Sequence, residues 1–259
     1  MPILKAGEAR IHYALEGQSG APALVFSNSL GTNYSMWDPQ EPDFRKKLRV
    51  LRYDTRGHGL SSLPPGPYSI EQLGKDVVAL LDALDLDRVH FCGLSMGGMI
   101  GMWLGVNAPE RLNKLALCNT AARIGIPETW NARIEAVRKN GMKSVASAVV
   151  ERWFSPAFRQ KAPATISNTQ KMLEEMNPDG YAACCAAVRD FDFREHLSRI
   201  RIPALVIAGA FDPATPRADG RFLAHQIPGA RYVELNAAHL SNIEDRDRFN
   251  SELAAFLNC

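Results

Sequence analysis

Six short runs of apolar and β-branched residues recur along the chain, separated by helical text. They are Leu24-Val25-Phe26, Val50-Leu51-Arg52-Tyr53, Val89-His90-Phe91-Cys92, Leu115-Ala116-Leu117-Cys118, Ala204-Leu205-Val206-Ile207 and Tyr232-Val233-Glu234-Leu235. A strand that is apolar on both sides has to be covered on both faces, and strands joined through helices run parallel. The pattern therefore demands an α/β fold with a mostly parallel central sheet and helices on both faces. Ala9 to Glu16 differs: Ile11, Tyr13 and Leu15 alternate with His12, Ala14 and Glu16. That period of two predicts a half-exposed strand near the sheet edge.

Ser69 with Gln72 three residues later reads as a capping box, and Leu73, Val77, Leu80, Leu81 and Leu84 continue it as a helical stripe. A second helix is predicted to open just after Gly97-Gly98 and to stop at Asn107, because Pro109 cannot continue it. From about Arg123 to Arg199 strand text ceases. Trp130, Ile134 and Val137 form one helical stripe there, and Val145, Val149 and Val150 another. Strand text resumes at Ile202-Pro203-Ala204. Residues 1–122 and 200–259 are therefore read as one core, with 123–199 as an inserted helical cap. A chain of 259 residues suits a single α/β domain of this kind.

Thirty Lys and Arg against 28 Asp and Glu leave a formal charge of +2, without a basic cluster. Neither nucleic acid nor a membrane surface is an expected partner. Met1-Pro2-Ile3-Leu4-Lys5 lacks the basic and long apolar segments of a secretory leader, and the longest apolar stretch, near Met99 to Val106, is far shorter than the ~20 residues of a membrane span. The five cysteines, Cys92, Cys118, Cys184, Cys185 and Cys259, show no Cys-x-x-Cys spacing. An odd count without that spacing speaks against a disulfide framework or a zinc site, so a cytoplasmic protein with no metal and no cofactor is expected.

Chemistry concentrates at Gly93-Leu94-Ser95-Met96-Gly97, directly after one predicted strand and before a helix. This is the setting of a nucleophile elbow, the strained turn of α/β-hydrolases that lifts a serine hydroxyl to the carboxyl edge of the sheet. A serine needs a histidine base, and the base needs an orienting carboxylate. In this fold the order is serine, acid, histidine, which excludes His12, His58 and His90. His196 and His225 lie in helical polar text, whereas His239 follows the strand Arg231 to Leu235 in a short loop. Asp212, in Gly209-Ala210-Phe211-Asp212-Pro213, stands just beyond the strand Leu205 to Ile207, and Pro213 holds it extended. Asp190 and Asp192 precede that strand and Asp245 follows the histidine, which suits solvated or capping positions. The predicted triad is Ser95, Asp212 and His239. The backbone amides of Met96 and Leu30, the latter in Ser27-Asn28-Ser29-Leu30-Gly31, are the expected oxyanion donors. The loop Asp54-Thr55-Arg56-Gly57-His58-Gly59-Leu60-Ser61 reads as a structural lock beneath the site, with no chemistry for Arg56 or His58.

Several longer runs are more selective: Ser27-Asn28-Ser29-Leu30-Gly31-Thr32, Met36-Trp37-Asp38-Pro39-Gln40, Leu117-Cys118-Asn119-Thr120-Ala121-Ala122-Arg123-Ile124-Gly125, Trp130-Asn131-Ala132-Arg133-Ile134 and Arg152-Trp153-Phe154-Ser155-Pro156. Together with the elbow they make the chain resemble the 3-oxoadipate enol-lactonases, hydrolases of the β-ketoadipate route of aromatic degradation. Two departures stand out. Asn28-Ser29 replace the His-Gly common in the wider superfamily, and Arg217 follows Thr215-Pro216 where family members often carry a second proline. The resemblance implies a small anionic lactone substrate with an acetate side chain. It points to Arg133 for the carboxylate and to Trp130, one helical turn away, for the ring wall. Trp153 either lines the pocket or packs the cap. The same triad would equally serve a general carboxylesterase or a carbon-carbon bond hydrolase of ring-cleavage products.

Overall fold

A computed structural model describes residues 2–259. Its strands are Ile3–Ala6 (β1), Ala9–Glu16 (β2), Ala23–Ser27 (β3), Arg49–Tyr53 (β4), Val89–Leu94 (β5), Leu112–Cys118 (β6), Ala204–Gly209 (β7) and Arg231–Leu235 (β8). They form one sheet in the order β1-β2-β4-β3-β5-β6-β7-β8. β2 runs antiparallel to both β1 and β4, and every other pairing is parallel. All residues of β3 and of β7 are buried, as continuous apolar strands covered on both faces must be.

The helices are Glu41–Phe44 (α1), Ile70–Ala83 (α2), Met96–Asn107 (α3), Pro127–Asn140 (α4), Lys143–Trp153 (α5), Pro156–Lys161 (α6), Pro163–Glu174 (α7), Pro178–Arg189 (α8), Arg217–Gln226 (α9), Ser241–Glu244 (α10) and Arg246–Leu257 (α11). α2 starts on the predicted capping box: Gln72 N–H donates to Ser69 Oγ at 3.2 Å and Ser69 N–H to Gln72 Oε1 at 3.0 Å. Its stripe of Leu73, Val77, Leu80 and Leu81 is buried, each side chain contributing about 1.5–3 kcal/mol. α3 packs on β5 and β6 and is apolar nearly all round, as a helix enclosed between sheet and neighbours should be. Five helices, α4 to α8, fall between β6 and β7 in the chain.

Three details depart from the sequence reading. β1, four residues long and partly exposed, carries too little pattern to be predicted and takes the sheet edge outside β2. His12, expected on the open face of β2, is fully buried because the loop after β4 folds over it and Asp54 Oδ2 meets its Nδ1 at 2.7 Å. α3 begins at Met96, just ahead of the two glycines, since the helix starts as soon as the elbow has turned.

The loop after β4 braces several elements. Asp54 accepts from the Tyr34 and Leu60 amides at 2.7 and 2.9 Å, and Arg56 forks onto Asp76 of α2. The Gly31 N–H donates to His58 Nε2 at 3.0 Å, so the ring proton sits on Nδ1, near Cys184 of α8. Burial pushes the His58 pKa down to about 4. Unfolded, this histidine titrates near ~6.5. Below that pH the unfolded chain takes up a proton that the folded chain refuses, so stability is lost as pH falls from about 6.5 to about 4. His58→Gln is expected to remove about 3 kcal/mol of that loss. Urea unfolding of both proteins across the interval reads the difference, and a pH-independent gap between them would refute the expectation.

Candidate active site

The parallel register brings the carboxyl ends of five strands level. Ser27 pairs with Gly93, Leu94 with Cys118, Cys118 with Ile207, and Gly209 with Leu235. The residues that follow these ends, Ser29 and Leu30, Ser95, Asn119, Asp212 and His239, therefore gather at one edge of the sheet.

Ser95 occupies a turn that side chains rarely enter, with φ 57° and ψ −115°. Its neighbours hold it there: Ser95 N–H donates to Cys118 O at 2.9 Å, and Thr120 Oγ1 donates to Ser95 O at 2.7 Å. Crowding explains the flanking glycines. A Cβ on Gly93 would stand 2.1 Å from the Gly97 carbonyl oxygen, and one on Gly97 2.2 Å from that of Ser27. Both obstacles are backbone, so α3 cannot sit this close to β3 and β5 with larger residues. Gly97→Ala is expected to force the helix away and to cost about 3 kcal/mol, with activity falling in parallel. An unchanged denaturation midpoint would show that the approach is looser than described.

The Asp212 carboxylate is saturated with donors. Oδ1 accepts from the Ala214 and Thr215 amides at 2.8 and 3.1 Å. Oδ2 accepts from Thr215 Oγ1 at 2.7 Å, Asn119 Nδ2 at 3.0 Å and His239 Nδ1 at 2.8 Å. Burial by itself would raise this carboxyl, but the facing His239 and these hydrogen bonds outweigh it and hold its pKa below the ordinary value. With its Nδ1–H donating to the Asp212 carboxylate, His239 keeps the lone pair of Nε2 and can accept a proton there. Asn119 also donates to Ala238 O at 3.0 Å and accepts from Ser241 Oγ at 2.6 Å, tying the acid loop to the histidine loop.

Ser95 and His239 line one cavity of about 250 Å³, and Asp212 lies buried behind the histidine. Leu30 is part of the same wall, and Met96, the first residue of α3, follows Ser95 directly. Opposite them stand Trp130, Arg133, Val149, Arg152, Trp153 and Tyr181 from α4, α5 and α8. The Arg133 guanidinium stacks over the Trp130 ring at 4.8 Å, while the indole N–H donates to Ile124 O at 2.7 Å. Trp153 contributes wall and scaffold together: it lines the cavity, and its carbonyl accepts from the Leu240 amide at 3.0 Å.

Sequence reasoning missed Asn119, Thr215, Arg152 and Tyr181. Asn119 follows a strand end as Asp212 does, and the same positional logic finds it. Arg152 adjoins Trp153 in a run already singled out, but nothing in its spacing says that it turns toward the serine. Burial lowers its pKa, and the nearby charge of Arg133 lowers it further. Tyr181 lies close to Arg133, and its phenol is pushed up chiefly by burial. Among the described residues no group of three or more His, Cys, Asp or Glu side chains is placed to hold a metal ion, and no helix is long and apolar enough to cross a membrane.

Comparison with known proteins agrees with this geometry. The profile of the alpha/beta hydrolase fold family matches residues 22–246. 3-Oxoadipate enol-lactonase 2 of Acinetobacter baylyi is 47% identical over 98% of this chain and 95% of its own length, and 3-oxoadipate enol-lactonase 1 of the same organism is 41% identical over 94% and 91%. The crystal structure of the enol-lactonase from Burkholderia xenovorans LB400 superposes with a TM-score of 0.98 at 46% identity, over the whole of both chains. The profile match places this chain in the alpha/beta hydrolase fold family, and 47% identity over 98% of its length places it among the 3-oxoadipate enol-lactonases.

Proposed function

We propose that the protein hydrolyses 3-oxoadipate enol-lactone to 3-oxoadipate, and that Ser95, His239 and Asp212 carry the reaction. His239 Nε2 takes the Ser95 proton as Oγ attacks the lactone carbonyl, and Asp212 stabilises the imidazolium. The amides of Met96 and Leu30 receive the charge that develops on the carbonyl oxygen, where one such donor is worth ~3 kcal/mol. The ring C–O bond then breaks to release an enol. Its tautomerisation to the ketone draws the reaction forward, and water activated by His239 frees the acyl chain from Ser95. Arg133 holds the acetate carboxylate, and the Trp130 ring flanks the lactone.

The observation that carries this reading is the single cavity shared by Ser95, His239, Arg133 and Trp130, with Asp212 hydrogen-bonded behind the base. Helices α4 to α8 act as a cap over the core formed by residues 1–122 and 200–259. A reducing compartment such as the cytoplasm suits the five free thiols. Purified protein mixed with freshly generated enol-lactone is expected to consume its ultraviolet absorbance at rates typical of a committed enzyme, ~10 per second or more. Rapid cleavage of simple esters with the lactone left intact would favour a general carboxylesterase instead.

A further inference from the structure

The Ser95 cavity holds two guanidinium groups, Arg133 from α4 and Arg152 from α5, and among the described residues no Asp or Glu lines it. The Arg133 guanidinium is held against the Trp130 ring at 4.8 Å, and Tyr181 lines the same wall beside it. Arg152 is exposed yet lines the same wall, which puts it where the cavity opens to solvent. Two like charges facing one small space repel each other, and the pKa of Arg152 is lowered by burial first and by the Arg133 charge second. One carboxylate placed between them satisfies both, and a charge-assisted pair is stronger than a neutral hydrogen bond.

When the enol-lactone ring opens, its leaving group stays attached to the acyl chain. The acyl-enzyme is then an ordinary ester of Ser95 with a free carboxylate at the far end, and nothing in it retains the ring. We infer that the pocket also accepts open-chain monoesters of dicarboxylic acids of adipate length, with Arg133 and Arg152 together gripping the distal carboxylate and Arg152 setting the preference for anionic acyl groups. In that reaction Ser95 Oγ bonds to the acyl carbon, the alkoxy C–O bond breaks, and His239 passes the serine proton to the departing alkoxide. Water then releases the dicarboxylate. The inference rests on the proposed function for its catalytic groups, for the carboxylate role of Arg133 and for its chain length.

The test compares mono-p-nitrophenyl adipate with p-nitrophenyl hexanoate, its neutral counterpart of equal length, in wild type, Arg133→Met, Arg152→Met and the double variant. Circular dichroism confirms that each is folded. The ratio of kcat/KM, anionic over neutral, is expected to exceed about 50 in wild type, to drop about tenfold in each single variant and to approach one in the double. Raised salt is expected to lower the wild-type ratio, because Arg152 is open to solvent. A wild-type ratio near one, or a ratio that Arg152→Met leaves unmoved, overturns the inference, and the wild-type ratio decides it even if a variant fails to fold. Enol-lactone assayed in parallel separates the two readings. Lactone turnover without the anionic preference sinks this inference alone, and the preference without lactone turnover sinks the proposed function alone.

Discussion

Ser95→Ala is expected to lower turnover by about 10⁵- to 10⁶-fold while the protein keeps its fold and stability. At ~1.36 kcal/mol per tenfold, that is about 7–8 kcal/mol of barrier for the removal of one oxygen. The size follows from the role proposed for Ser95, whose hydroxyl is the atom that bonds to the acyl carbon; the other hydroxyls of the cavity, on Ser29, Thr129 and Tyr181, do not stand on the elbow. Stability should hold because the turn is fixed through main-chain atoms, Ser95 N–H to Cys118 O and Met99 N–H and Thr120 Oγ1 to Ser95 O. Alanine meets the same positive φ with no larger a side chain. Single-turnover kinetics on the lactone together with a urea melt would check both halves. A folded variant retaining even a hundredth of wild-type activity would require another nucleophile.

Asp212→Asn should be nearly as damaging, at about 10⁴-fold in kcat. An asparagine side chain carries two donors on one side, and here both carboxylate positions already face donors. Its amide nitrogen would meet His239 Nδ1, Asn119 Nδ2 and Thr215 Oγ1 on one side, or the Ala214 and Thr215 amides on the other. Relief comes most readily from moving the His239 proton to Nε2, which leaves no lone pair for Ser95. Stability should fall too, by about 1–3 kcal/mol at neutral pH for donors left without an acceptor. The pH dependence has a definite sign. Because the folded Asp212 pKa lies below its ordinary value, the carboxylate's contribution is complete above the unfolded pKa of ~3.9 and disappears as pH drops through the folded one. The gap between wild type and variant in chemical denaturation should therefore close in acid. Near-normal kcat with this substitution would mean that Asp212 does not orient the base.

Much of the site was legible in the chain because the α/β architecture turns sequence position into spatial position. A residue that follows an apolar strand within a few positions must emerge at the carboxyl edge, and Ser95, Asp212 and His239 each do so. Leu30 and Met96, the proposed oxyanion donors, also follow strand ends, and Leu30 lines the cavity of Ser95 while Met96 opens the next helix. Arg133 and Trp130 came from the family resemblance, and one helical turn does bring them into contact.

The residues that escaped notice did so for physical reasons. Asn119 and Thr215 matter through hydrogen bonds to Asp212, and those depend on angstrom-level loop geometry that no periodicity encodes. Arg152 follows the exposed Glu151 on its helix, and nothing in its spacing separates it from an ordinary surface arginine. Only the packing of α5 beside α4 and the carboxyl edge turns it toward the cavity. His12 shows the limit from the other side, since it is polar and yet buried by a loop whose path the local sequence does not dictate.

The amino-acid order alone determined the parallel sheet, the elbow and the three chain positions that can reach its carboxyl edge, because strand and helix periodicity and backbone sterics are local properties. Tertiary structure decided which donors saturate Asp212, which imidazole nitrogen keeps its lone pair and which cations share the cavity with Ser95. The donors to Asp212 come from as far as 93 positions away, and only the folded chain brings such groups within the few ångströms over which hydrogen bonds and unscreened charges act.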